Sequence, residues 1–94
     1  MEIKASTTPN EYNEVVWAVH VPERNAELQV YTYPFSGYPR EGCTEWYFYV
    51  LARGADGVWF EVTAHEPNGP SALHTELDAV LDAVRAALIE LNDM

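Results

Sequence analysis

Cationic side chains are scarce in this chain. Five Lys and Arg stand against 15 Asp and Glu, a formal net charge of −10 over 94 residues. Attachment to a phosphate backbone is driven by Lys and Arg displacing condensed counterions, so the composition argues against direct nucleic-acid binding. Cysteine is scarcer still: Cys43 stands alone, no internal disulfide can form, and a reducing compartment such as a cytoplasm is expected. No apolar run approaches the roughly 20 residues that span a bilayer. The start, Met1-Glu2-Ile3-Lys4, has no basic segment leading into a hydrophobic stretch, so neither membrane insertion nor classical secretion is expected. A phosphate-cradling loop is missing too. Gly54-Ala55-Asp56-Gly57 reads as a hairpin turn with no helix after it to receive a phosphate.

Spacings that carry chemistry are equally sparse. His20, Cys43, His65 and His74 form no His-x-x-x-His and no Cys-x-x-Cys, so neither a metal site nor a cofactor is implied. Arg40 stands near Cys43 in sequence, a neighbour that favours thiol reactivity, but nucleophilic catalysis also needs a histidine within reach and an oxyanion donor. No positive feature points to an enzyme. A small enzyme or ligand-binding domain using Cys43 or His65 is the alternative to a non-enzymatic reading.

What the chain does have is a folding pattern. Hydrophobic residues make up 48% and aromatics 13%, enough to fill a core, and the length leaves room for a single domain, 1–94. In Glu14–Val21, Val15, Trp17, Val19 and Val21 alternate with Glu14, Val16, Ala18 and His20, a period of two that predicts a strand. Glu27–Tyr33 alternates likewise after the turn residues Pro22-Glu23-Arg24-Asn25, and Glu45–Ala52 and Val58–Ala64 flank an Asp-Gly turn. Between the two pairs, Pro34–Gly42 reads as a long irregular loop. Near the start, Thr8-Pro9-Asn10-Glu11 has the capping-box pattern of a single helical turn, and Glu2–Ala5 is available as a short extra strand. From Ala72 to Asn92, with Ser71 as cap, Leu73, Leu77, Val80, Leu81, Val84, Leu88 and Leu91 share one stripe at helical period. The expected fold is therefore α+β: a four-stranded antiparallel β-meander with one C-terminal α-helix packed on one face (ββββα).

A single helix covers a single sheet face, so alternation sorts the strand residues into a core and a remainder. Val15, Trp17, Val19, Leu28, Val30, Trp46, Phe48, Val50, Val58, Phe60 and Val62 make the helix-facing set. The remainder is acidic and aromatic together: Tyr31, Tyr33, Tyr47, Tyr49 and Trp59 with Glu14, Glu27, Glu45 and Glu61. In its plain reading this is a solvated sheet surface, because Tyr has high β propensity. As a binding surface, the rings supply short-range contact and the carboxylates long-range attraction for a basic partner. Asp78 and Asp82, spaced i,i+4 on the helix, mark a second acidic surface. Ile89 with Ala79, Ala83 and Ala86 leaves a helix contact between two chains open, so a homodimer is a further alternative.

The expected partner-binding residues are thus Glu27, Tyr31, Tyr33, Glu45, Tyr47, Tyr49, Trp59, Glu61, Asp78 and Asp82, and the expected partner is the basic surface of a nucleic-acid-binding protein. In size, charge and lack of a catalytic signature, the chain resembles the small acidic inhibitors that phages encode against host nucleases and CRISPR effectors, DNA mimics among them. Immunity proteins, which block basic toxins, resemble it equally. Both resemblances imply a non-enzymatic protein that inhibits or sequesters its target, and neither assigns a residue.

Overall fold

A computed structural model describes residues 1–6, 8–34, 39–43, 45–63 and 75–92. Five strands, β1 (Glu2–Ala5), β2 (Val15–Val21), β3 (Ala26–Pro34), β4 (Trp46–Arg53) and β5 (Trp59–Thr63), precede one helix, α1 (Glu76–Asn92). The strands form a single antiparallel sheet in chain order. The short N-terminal strand is present, so the meander has five strands rather than four. The alternation in β2, β3 and β4 does what a period of two requires, placing Val15, Val19 and Val21, then Leu28 and Val30, then Trp46 and Val50 in the buried interior.

Two local expectations are corrected. The segment before β2 is an Asx turn, not a capped helical turn. The Asn10 Oδ1 accepts the backbone N–H groups of Tyr12 and Glu14, each at 2.9 Å, and Asn13 takes φ 60°. An Asn side chain that imitates a backbone turn here outcompetes the Thr8 cap. Val58 is not core: it is 61% exposed and precedes β5, because Asp56 Oδ1 accepts its N–H and its carbonyl accepts the Gly54 N–H. The turn is thereby one residue longer than the Asp-Gly pair suggested, and Gly57, at φ 82°, supplies its left-handed position. The helix is capped by Thr75, whose hydroxyl accepts the Asp78 N–H at 3.1 Å while the Asp78 carboxylate accepts the Thr75 N–H at 3.2 Å. Ser71 and Leu73, like Phe35 and Tyr38 of the long loop, lie outside the described residues.

Packing of α1 also differs from the leucine stripe. Its buried residues are Ala79, Val80, Ala83, Val84 and Ala87, whereas Leu77 is 47% exposed. The sheet supplies Trp17, Phe48 and Phe60, packed around the buried valines, and Leu88 and Leu91 of the helix pack against the same cluster. Val80, Val84, Leu88 and Leu91 of the expected stripe thus meet the core, Ala79, Ala83 and Ala87 join them, and Leu77 does not. Ala79 and Ala83 are consequently sealed under the helix and unavailable to a second chain, while Ile89 is 62% exposed as its departure from the stripe implied.

Both ends of α1 are tied to the sheet by arginines from other elements. The Arg40 guanidinium binds the Glu76 carboxylate in the first turn, reaching Oε2 at 2.8 Å, and also donates to the carbonyls of Asn13 and Thr32. It stands 5.1 Å from the centre of the Trp46 ring. Buried Thr32 accepts the Trp17 indole N–H at 2.9 Å, and its own proton has Glu76 Oε2 at 3.3 Å and the Val15 carbonyl at 3.4 Å as alternative acceptors. At the other end α1 has no basic residue in its last turn, and Arg24 from the Pro22–Arg24 turn donates to the Leu88 carbonyl at 3.2 Å. A cation at a helix C-terminus is favoured by the macrodipole.

Loss of the Arg40 tie leaves a carboxylate of only 19% side-chain exposure unpaired. Arg40→Ala is expected to cost about 2 kcal/mol, lowering the melting temperature by roughly 10 °C in a domain of this size. Arg40→Lys recovers only part of this, because one ammonium does not span the acceptors that a planar fork serves. Thermal unfolding followed by circular dichroism measures both, and melting temperatures equal to the parent's would show the tie to be without weight.

Candidate protein-binding face

The sheet face away from α1 is set by the register. Across the strands, one row runs Glu2–His20–Glu27, continuing to the paired Arg53–Trp59, and the next runs Lys4–Ala18–Gln29–Leu51–Glu61. Beyond them lie Val16–Tyr31–Tyr49 and then Tyr33–Tyr47. Sequence alternation therefore placed Glu27, the four tyrosines, Trp59 and Glu61 together correctly. It left Glu2, Lys4 and Arg53 out of the set. The face is accordingly less uniformly acidic than expected.

The tyrosines form an ordered aromatic layer. Tyr31 and Tyr49 stack across β3 and β4 with ring centres 4.5 Å apart and planes 7° from parallel, and Tyr33 and Tyr47 lie beside them at 5.1 Å and 32°. All four are half-buried. The Tyr31 hydroxyl donates to Gln29 Oε1 at 3.3 Å. Burial holds the Tyr49 phenol well above its ordinary range, helped by its hydrogen bond to the Glu14 carboxylate and by the charge on that group. Glu14 is fixed in turn by the Asn10 amide at 3.0 Å. The rings thus have their polar tips partly satisfied and their positions set before any partner arrives.

Charges on the molecule are segregated by the topology. At one end, which holds the β2–β3 and β4–β5 turns and the finish of α1, the acids Glu2, Glu23, Glu27, Asp56 and Glu90 share space with Lys4, Arg24 and Arg53. Glu27 is 3.5 Å from Arg53 and 4.0 Å from His20. The other end holds the β1–β2 and β3–β4 connections and the start of α1. The connections of this end carry Glu11, Glu14, Glu41 and Glu45, of which Glu14 is bonded to Tyr49, and this end's one cation among the described residues, Arg40, is bound to Glu76. Tyr12, at 73% exposure, projects from the same end. Sequence reading gave Glu11 to a capping box and Glu41 to the long loop and left Tyr12 without a role; counting which connections return to the same end of the sheet would have gathered them.

The helix carboxylates lie apart from the tyrosines. Asp78 caps α1, and Asp82 is paired with Arg85 at 3.0 Å. Both sit on the element that covers the opposite sheet face. Cys43 is half-buried, with its thiol donating to the Glu45 carbonyl at 2.9 Å, while the guanidinium of Arg40 is committed to Glu76. His20 lies on the open face beside Glu27; His65 and His74 are outside the described residues. Among the described residues no group of three or more His, Cys, Asp or Glu is arranged to hold a metal ion, and no helix is long and apolar enough to cross a membrane.

The raised phenol of Tyr49 has a consequence for stability. Its proton is held more firmly in the folded chain than in the unfolded one, so its contribution is intact below about pH 10 and is lost as the pH climbs from there toward the folded value. Tyr49→Phe is expected to flatten the fall in unfolding free energy between pH 9 and pH 11, read from urea titrations at each pH; an unchanged slope would mean that the phenol is not held by its surroundings.

No family model, curated protein or solved structure matches the chain.

Proposed function

We propose that this chain is a non-enzymatic binding protein that occupies the basic, nucleic-acid-binding surface of another protein and so inhibits or sequesters it. The observation that carries the reading is the coincidence of a pre-ordered tyrosine layer with four carboxylates, Glu11, Glu14, Glu41 and Glu45, at an end whose only described cation is neutralised internally. Unpaired carboxylates raise the encounter rate with a cationic surface, and aromatic rings already held in place form contacts with little further loss of side-chain entropy. Phage-encoded inhibitors of nucleases and CRISPR effectors and immunity proteins against basic toxins act on targets of this kind. The docking residues in this reading are Tyr31, Tyr33, Glu45, Tyr47 and Tyr49 from the sequence set, with Glu11, Tyr12, Glu14 and Glu41 added. Glu27, Trp59 and Glu61 fall on or beyond its border, and Asp78 and Asp82 on the far side.

The test compares two charge variants in affinity capture at stepped salt. A triple variant, Glu11→Gln, Glu41→Gln and Glu45→Gln, is expected to lose a basic partner that the parent chain retains at low salt and releases as salt rises. A control with Glu2→Gln and Glu23→Gln at the other end is expected to retain it. Equal retention by both variants, or capture indifferent to salt, would overturn the reading.

A further inference from the structure

Resting on that reading, we propose that the tyrosine end is built to accept arginine side chains from its partner in preference to lysine, with the guanidinium on the Tyr31–Tyr49 stack and within reach of the carboxylate of Glu14. Charge complementarity selects a cation, and the ring geometry selects which cation. The two rings are stacked face to face, 7° from parallel, and partly accessible, so a planar cation can extend the stack on an outer ring face. A guanidinium is planar, weakly hydrated and able to stack on a ring while its N–H groups still point sideways at a carboxylate; an ammonium is a compact, strongly hydrated point charge that gives up more water to do the same.

The protein already contains one such arrangement. The Arg40 guanidinium lies over Trp46 and donates in its plane to Glu76, with the backbone carbonyls of Asn13 and Thr32 taking further N–H groups. The open face repeats the components, an aromatic pair with a carboxylate at its rim, and no arginine of this chain fills them among the described residues. Arg24, Arg40, Arg53 and Arg85 are bound respectively to Leu88, Glu76, Glu27 and Asp82.

The experiment uses two blocked hexapeptides of equal charge, hexa-arginine and hexa-lysine, titrated into the isotope-labelled full chain at one ionic strength and followed by NMR. Hexa-arginine is expected to bind about fivefold tighter, the equivalent of one stacked guanidinium, with the largest shifts on Tyr31, Tyr49 and Glu14. Tyr31→Leu is expected to reduce the preference below about twofold; if that variant does not fold, the comparison on the parent chain still decides. Equal affinities would overturn the arginine preference and leave a purely coulombic acidic face standing. Shifts centred on Asp82 or Glu90 of the helix would overturn the location. Binding of neither peptide would remove the underlying reading as well.

Discussion

The bond between Arg40 and Glu76 is the point on which the rest of the architecture turns. A five-stranded meander with one helix has only a single two-layer interface, and α1 contributes small residues to it. Apolar burial sets how much free energy the contact provides, but it is non-directional and does not by itself fix where along the sheet the helix begins. The ion pair does fix it. It joins the first turn of α1 to the β3–β4 connection, to the Asn13 carbonyl before β2 and to buried Thr32 in mid-sheet.

The same contact determines what the exterior looks like. By taking the only described cation of that end into a partly buried pair, it leaves the carboxylates of both neighbouring connections without a cation among the described residues. By holding Asn13 and its own loop, it fixes the segments from which Glu11, Glu14 and Glu41 project. Core organisation and surface electrostatics are in this sense one arrangement. A substitution at Arg40 therefore disturbs the fold and the acidic end together, and its effect on any partner has to be judged after its effect on stability.

Strand content and facing were legible in the sequence because both rest on a period of two over long, strongly apolar runs. Val15 to Val21 and Trp46 to Val50 illustrate this: every second residue went where alternation placed it. Details governed by a single hydrogen bond were not legible. Nothing in periodicity distinguishes Thr8 from Asn10 as the organiser of the first turn, or reveals that Asp56 extends the hairpin and exposes Val58. On the helix, Val80, Val84, Leu88 and Leu91 face the core as the stripe implied, but the buried face extends over Ala79, Ala83 and Ala87 and leaves Leu77 outside, because small residues fit against Trp17 and Phe60. For the candidate site, residues on strands were gathered correctly and residues on connections were missed. Alternation speaks only about strands, whereas the grouping of Glu11 with Glu41 follows from chain topology.

Among the described residues, the carboxylates of one end have no cation free to offset them, while Lys4, Arg24 and Arg53 offset part of the acid at the other, so the charge has a direction along the strands as well as a sign. In the field of a cationic surface, that asymmetry produces a torque before any side chain touches. In the proposed docking the acidic end, with the tyrosines and the first turn of α1, would lead and the β2–β3 and β4–β5 turns would trail. Much of the orientational search that ordinarily slows protein association would then be completed in solution.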